Sequence, residues 1–300
     1  MKKIELFGTH TVPKENTVVA LGNFDGVHLG HKELISKVLE KAQKHDLVPA
    51  VWSFESYSPK CRGVCITTAR EREALLFQMG IKALFLSGFE QTRDMGCEEF
   101  IVSILKEKCG AKIAVIGFNF RFGKGAAGDA DTFCSLCIKH GIEPIVCPAV
   151  YVGGECVSST LIRGYLAGGD MERAAELLGR PYYIELPVLQ GQRLGVKMGF
   201  PTINQVFPAE MAVPRHGVYA CFTELGGVVY PAVTDIGVRP TVSGHGIRCE
   251  THIIGYSGDL YGDRIRVSFR RFIRPEIKFE SLDALARQIG LDVEEAKKGL

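Results

Sequence analysis

The sequence predicts an α/β unit on a doubly wound parallel sheet, followed by an antiparallel β-barrel with a C-terminal helix. Three observations carry this. The first half alternates short apolar runs with amphipathic stretches, the signature of repeated strand-helix units. After Gly179 the pattern changes to brief runs rich in β-branched and aromatic residues, broken by turns. And 300 residues exceed what one hydrophobic core usually holds. The linker falls near residues 180–184, giving units 1–181 and 182–300.

Taken in order, residues 18–21, 48–54, 83–86, 113–116 and 143–147 read as strands, each apolar enough to be covered on both faces. Residues 31–45, 69–79, 97–108 and 130–140 read as the helices between them. Residues 158–179 are helical except at Gly168-Gly169, which separates two short helices. Runs at 182–188, 217–224, 228–236, 249–256 and 264–272 make the barrel, and 282–298 the closing helix.

Composition excludes several classes. Hydrophobic residues make up 46% and charged residues 23%, the balance of a globular protein. A net charge of +2 gives no global pull toward nucleic acid or a membrane surface. The arginines of 264–274 alternate with Ile265, Val267 and Phe269, which reads as a strand with a solvated charged face. The opening residues lack the apolar segment of an export signal, so the expected location is cytoplasmic. Ten cysteines are then expected to be reduced thiols, and Cys134 and Cys137 to pack on one helix. Cys61 and Cys65 read the same way. The expected partners are small molecules, with no nucleic acid and no membrane, for a monomer or weak homo-oligomer.

Three motifs carry chemistry. In Gly22-Asn23-Phe24-Asp25-Gly26-Val27-His28-Leu29-Gly30-His31 an apolar strand enters a turn and then a helix. Glycines at 22, 26 and 30 let a phosphate approach the backbone, and a helix start favours an anion. His28 and His31, three apart, can aim at one point; the alternative is a pair of ordinary capping or core histidines. Ser158-Ser159-Thr160-Leu161-Ile162-Arg163 precedes a helix, where hydroxyls cap N–H groups or bind phosphate and Arg163 supplies a planar fork. Gly117-Phe118-Asn119-Phe120-Arg121-Phe122-Gly123, continuing to Asp129, is a loop suited to a planar ring and its polar edge. Its phenylalanines also suit a core, so recognition falls to Asn119 and Asp129.

In that order, and continued by Gly199-Phe200-Pro201-Thr202-Ile203-Asn204, Gly217-Val218-Tyr219-Ala220, Ile236-Gly237-Val238-Arg239-Pro240-Thr241, Glu250-Thr251-His252-Ile253 and Asp259-Leu260-Tyr261-Gly262, the chain resembles the bacterial bifunctional riboflavin kinase/FMN adenylyltransferase family over nearly its whole length. The resemblance implies an N-terminal nucleotidyltransferase that joins FMN and ATP into FAD and pyrophosphate. His28 and His31 would hold the ATP phosphates, Ser159, Thr160 and Arg163 the departing pyrophosphate, and Asn119 and Asp129 the flavin. Gly22, Asn23, Phe24 and Asp25 would shape the nucleotide pocket.

The C-terminal barrel would phosphorylate riboflavin to FMN with ATP. Thr202 and Asn204 point to one side of an extended segment and offer the oxygen ligands that Mg²⁺ prefers. Gly191, Gly195 and Gly199 give a flexible ATP loop. Glu250 would accept the proton of the riboflavin 5′-hydroxyl; an ion pair with Arg248 or an arginine of 264–274 is the alternative. Against the usual pattern, Ile203 replaces alanine, Val196 an arginine, Asp235 an asparagine, and Leu186 or Pro187 a glycine. Residues 53–59 lack a common proline-histidine pair. These departures bear mostly on the kinase step. The rival readings are an adenylyltransferase with a weak or inactive barrel, and a non-catalytic flavin-binding protein.

Overall fold

The computed structural model describes residues 2–6, 16–55, 64–191, 195, 198–241 and 244–298; side chains at 239–241, 244 and 245 fall outside that set. Cys61, Val196 and residues 56–59, singled out above, lie outside the described residues. The chain divides into two compact units, residues 1–159 and 160–300.

In the first unit, β1 (Lys2–Glu5), β2 (Thr17–Leu21), β3 (Val48–Phe54), β4 (Ala83–Ser87), β5 (Ala111–Gly117) and β6 (Glu143–Cys147) form one parallel sheet in the order β1-β4-β3-β2-β5-β6. Each long apolar strand is buried on both sides. Val19 and Leu21 pack with Phe100, Ile104 and Phe133 on one face. Val18 and Ala20 pack with Ile35, Val38 and Leu76 on the other. Helices α1 (Leu29–His45) and α2 (Ala69–Gln78) cover the second face. The first is covered by α3, a turn at Cys97–Glu99 continuing as a π-helix over Phe100–Lys108, and by α4 (Ala130–Lys139). Hydrogen bonds five apart let the π-helix put Phe100, Ile101, Ile104 and Leu105 on the buried side together. Cys134 and Cys137 both sit on α4.

Strand order reverses direction beside β2: the chain runs outward through β3 and β4, then returns to place β5 on the other side. That reversal opens a crevice at the carboxyl ends of β2 and β5, where ligands of such sheets bind. A small hairpin, β7 (Tyr151–Val152) with β8 (Glu155–Cys156), follows the sheet. Edge strand β1 has no counterpart among the strands expected from the sequence: four residues, two of them lysines, give no apolar run to see.

The second unit starts with α5 (Ser159–Gly168) and α6 (Met171–Leu178), which break at the glycine pair as their sequence implies. Six antiparallel strands then follow: β9 (Tyr183–Pro187), β10 (Thr202–Val206), β11 (Gly217–Leu225), β12 (Val228–Thr241), β13 (Gly244–Ile253) and β14 (Arg264–Arg274), ordered β10-β13-β12-β11-β14-β9. A bridge between Leu189 and Asn204 brings the two ends toward closure. Across that seam the buried Gln205 amide donates to Leu186 O at 2.7 Å and Ile265 O at 2.8 Å.

Tyr219, Cys221, Ile236, Cys249 and Phe269 fill the inside of the barrel. Burial pushes the Cys249 thiol up to about 12, an inert group. Leu186, one of the two positions at which a glycine is expected, is also buried. On the outer face Val218, Ala220 and Val233 pack against Val293 and Ala296 of α7 (Leu282–Lys297). Arg274 grips α7 through Asp292, which is 2% exposed, with Nη2 to Oδ2 at 2.7 Å and Nε to Oδ1 at 3.0 Å.

Candidate active sites

The first site grows from the way β2 ends. Beyond Leu21 the chain turns through left-handed backbone at Phe24 (φ 52°), Gly26 (φ 79°) and Val27 (φ 42°). Two such residues carrying large side chains represent stored strain, which a structure retains where the surroundings over-determine it. Phe24 and Val27 are buried, and the Asp25 carboxylate accepts N–H groups of Ile66 (2.8 Å) and Thr67 (3.3 Å). The Thr67 hydroxyl accepts Gly26 N–H at 3.1 Å, and Ser159 Oγ donates to Asp25 O at 2.9 Å. Asp25 and Ser159 are thus fasteners of the turn. An added Cβ at Gly26 would lie 3.0 Å from the Ile66 side chain.

The turn delivers His28 to the start of α1 as its cap, with Nδ1 accepting His31 N–H at 3.3 Å. The two imidazoles stack, centroids 3.6 Å apart and planes at 16°. Gly30 permits this, since a Cβ there would come within 3.2 Å of the His28 ring. An Nδ1 that accepts leaves the His28 proton on Nε2, so that nitrogen is a donor. His31 has a buried Nδ1 without a protein partner among the described residues. Desolvation, and next the neighbouring His28, hold its pKa well below the ordinary imidazole range. An anion arriving here would act in the opposite direction, favouring the protonated ring.

At the end of β5, Phe120 and Phe122 stack and join Phe133 and Phe100 in the core. Phe118 and Asn119 are exposed. Asp129 caps α4: its Oδ1 accepts Thr132 N–H at 3.0 Å and the Thr132 hydroxyl at 2.8 Å. Those bonds, the backbone one first, lower its pKa. Its other oxygen lies 4.0 Å from Arg121. Thr160 and Arg163 belong to the second unit, where Arg163 Nη2 donates to Thr160 Oγ1 at 3.3 Å.

Arg72 went unnoticed in the sequence. It is 1% exposed, on α2, and its guanidinium bonds the backbone carbonyls of Asn23 and Phe54. Ala69-Arg70-Glu71-Arg72-Glu73 looks like a solvated run; only the helical phase of Arg72 with Leu76 and Met79 marks it as inward.

The second site lies on the outside of the barrel. Pairing sets Asn204 opposite Glu250 and Glu250 opposite Asp235, so three strands present one polar row. Thr202 pairs with His252 in the next row on that face. Residues opposite one another on adjacent strands stand about 5 Å apart. Gly191 and Gly195, ahead of β10, come close to this row. A Cβ at Gly191 would sit 2.5 Å from Asn204 Nδ2 and 3.0 Å from its Oδ1; one at Gly195 would meet Phe200 O at 2.3 Å and Thr202 Oγ1 at 3.5 Å. Gly199 turns with φ 81°. His252 Nδ1 lies 2.8 Å from Pro201 O, fixing where the loop rejoins the sheet. Thr202, Asn204 and Glu250 are therefore assembled together, with Gly191 against Asn204, which is 8% exposed, and Gly195 near Thr202. A hydroxyl, an amide oxygen and a carboxylate suit a hard divalent cation. Arg248 is on the Glu250 face.

Comparison with known proteins shows the family to which each unit belongs. The family model described as FAD synthetase matches residues 10–161, and the one described as riboflavin kinase matches residues 178–300. The fold and sites define an α/β nucleotidyltransferase unit joined to a β-barrel flavokinase unit. A bifunctional riboflavin kinase/FMN adenylyltransferase from Pseudomonas fluorescens is 34% identical over 298 residues, covering 97% of this chain and 96% of the relative. Those of Escherichia coli (strain K12) and Bacillus subtilis (strain 168) are 34% and 32% identical, covering 93% and 99% of this chain and 91% and 97% of their own. A crystal structure titled as a macrolide-efflux protein from Streptococcus pneumoniae superposes with a TM-score of 0.87 at 30% identity, covering 99% of both chains. Among the described residues no helix is long and apolar enough to cross a membrane. The chain belongs to the bifunctional riboflavin kinase/FMN adenylyltransferase family.

Proposed function

We propose that this chain makes FMN from riboflavin and ATP on its barrel, and FAD from FMN and ATP on its parallel-sheet unit. The observation that supports the reading is the presence of two separately built polar sites: stacked imidazoles at a helix start, and a Thr202/Asn204/Glu250 row close to Gly191 and Gly195.

In adenylyl transfer a phosphate oxygen of FMN attacks the α-phosphorus of ATP, and the bond to the bridging oxygen breaks to release pyrophosphate. His28 donates from Nε2 to the phosphate oxygens. His31, neutral before ATP arrives, takes up a proton as the polyphosphate enters, adding positive charge where negative charge develops. Thr160 and Arg163 receive the pyrophosphate, and Asn119 reads the flavin edge. Asp129 holds α4 and the loop end first, and touches ligand only through its second oxygen.

In the kinase step Glu250 accepts the proton of the riboflavin 5′-hydroxyl as that oxygen attacks the γ-phosphorus and ADP departs. Thr202 and Asn204 would hold Mg²⁺, whose charge neutralises the β- and γ-phosphates when bound. We also expect a cytoplasmic monomer or weak homo-oligomer that meets only small molecules. The test is to supply riboflavin, ATP and Mg²⁺ and separate the flavins by chromatography. FMN and FAD are both expected; neither forming would overturn the reading.

Asp235 favours a second reading, in which the barrel is slow. It places a carboxylate directly opposite Glu250, where negative charge opposes the ATP phosphates. FAD formed only when FMN is supplied would support it.

A further inference from the structure

We infer that Arg72 is a positioning residue for adenylyl transfer, the strut that holds the phosphate-binding turn to the carboxyl end of β3. The inference rests on the adenylyltransferase reading of the first unit.

The sheet itself shows why a strut is needed. Strands β2 and β3 pair in register from Thr17↔Val48 to Leu21↔Trp52, and Gly22 N–H still reaches Trp52 O at 3.2 Å. Beyond that point β2 leaves the sheet to enter the left-handed turn, while β3 continues through Ser53 and Phe54 beside β4. The carbonyl of Asn23 is thereby separated from the ladder at the place where the turn needs its greatest precision. Arg72 fills the gap. Nη1 donates to Asn23 O at 3.0 Å and to Ser53 Oγ at 3.3 Å, and Nη2 donates to Phe54 O at 2.8 Å. Ser53 Oγ adds its own bond to Asn23 O at 3.3 Å. One planar fork thus sets the distance between the departing strand and the continuing one.

The same helix braces the turn a second time. The residues leading into α2 give Asp25 its two backbone N–H bonds, and Thr67 takes Gly26 N–H. Thr68 and Glu71 form a reciprocal cap that fixes the start of α2, one residue before Arg72. From Asn23 to Gly26 the turn therefore leans on α2 and its lead-in at three positions, Asn23, Asp25 and Gly26. His28 and His31 follow directly, so displacement of Asn23 moves both rings relative to the ATP phosphates. Arg72 touches neither ring; it acts through the backbone that carries them. A lysine keeps the charge but presents one ammonium nitrogen, which cannot reproduce two nitrogens spaced to bridge the two carbonyls.

The experiment is steady-state adenylyl transfer by the full chain carrying Arg72→Lys or Arg72→Met, normalised to folded protein at a temperature well below melting. Misplacement by about 1 Å costs on the order of a hundredfold in rate. We expect kcat for FAD formation to fall about ten- to a hundredfold in both variants. The KM for ATP rises and the KM for FMN holds, because the turn carries the phosphates and the β5 loop the flavin. Riboflavin phosphorylation by the same chains stays at the unmodified level and certifies the preparation. If Arg72→Met fails to fold, Arg72→Lys decides alone. Arg72→Lys with an unaltered kcat overturns the inference, whether or not its melting temperature falls, because Arg72 is then plain scaffold. An unmodified chain that makes no FAD overturns the adenylyltransferase reading instead.

Discussion

The parallel-sheet unit and the barrel build their candidate phosphate sites by opposite means. In the first, backbone does the shaping: a turn forced through φ 52° and 42° at two buried residues lifts His28 and His31 to a helix start. In the second, regular ladder geometry lines up Asn204, Glu250 and Asp235, and the irregular part is a glycine loop laid over them. Strain is thus concentrated under the histidines, while the barrel site inherits its alignment from strand register. The first should fail when its supports are altered; the second should tolerate distant changes and fail when a side chain or a covering glycine changes.

The largest effect is expected from Glu250→Gln. Loss of a general base costs about 10²- to 10⁴-fold, so riboflavin phosphorylation should collapse while FAD formation from supplied FMN persists. His28→Ala should do the reverse, lowering FAD formation on the order of 10²- to 10³-fold with FMN formation intact. Chromatography of the products checks both; equal loss of both activities in either variant would erase the two-site distinction. Gly191→Ala comes next. Its Cβ would be driven 2.5 Å from the Asn204 amide, so the kinase KM for ATP should rise roughly tenfold, the cost of a displaced contact worth about 1.4 kcal/mol. Asp235→Asn should act in the opposite sense, lowering that KM a few-fold by removing a like charge, and most clearly at low ionic strength.

The smallest effect concerns pH. His31 has a depressed folded-state pKa, so the unfolded chain binds the extra proton first. Stability from this group is full above the ordinary imidazole range and declines as pH falls through it toward the folded value. Melting of the first unit should drop between about pH 7 and 5, and His31→Gln should flatten that slope. A slope unchanged by the substitution would show that His31 is not desolvated.

Most of the fold was legible because buried parallel strands are apolar throughout. Residues 48–54 match their strand to the residue; so do 143–147, although that edge strand starts at exposed Glu143 and is only partly buried, and the glycine pair at 168–169 ends a helix as its chemistry requires. Strand β1 was not legible: its partner is β4, more than seventy residues away, and Lys2 and Lys3 mask it. Helix α1 begins at Leu29 rather than 31, because His28 uses its own ring as the cap, a role usually read from serine or aspartate. Spacing alone brought the two histidines together correctly; the stacking depended on Gly30, which only coordinates reveal. Asp129 and Ser159 looked like ligand groups and prove to be engaged in capping and fastening bonds. Arg72 was hidden for the converse reason, since burial of a cation cannot be inferred from a run of alternating charges.

Gln205 carries a consequence of another kind. Where β9 should meet β10 there is one bridge, and a single carboxamide spans the remaining gap to two strands at once. Because the ring is stitched by a side chain there, the backbone just past the Leu189 bridge is released from ladder duty, and Gly191 comes to rest against the Asn204 amide. A longer row of backbone bonds at this seam would have drawn Gly191 into the wall of the barrel and away from Asn204.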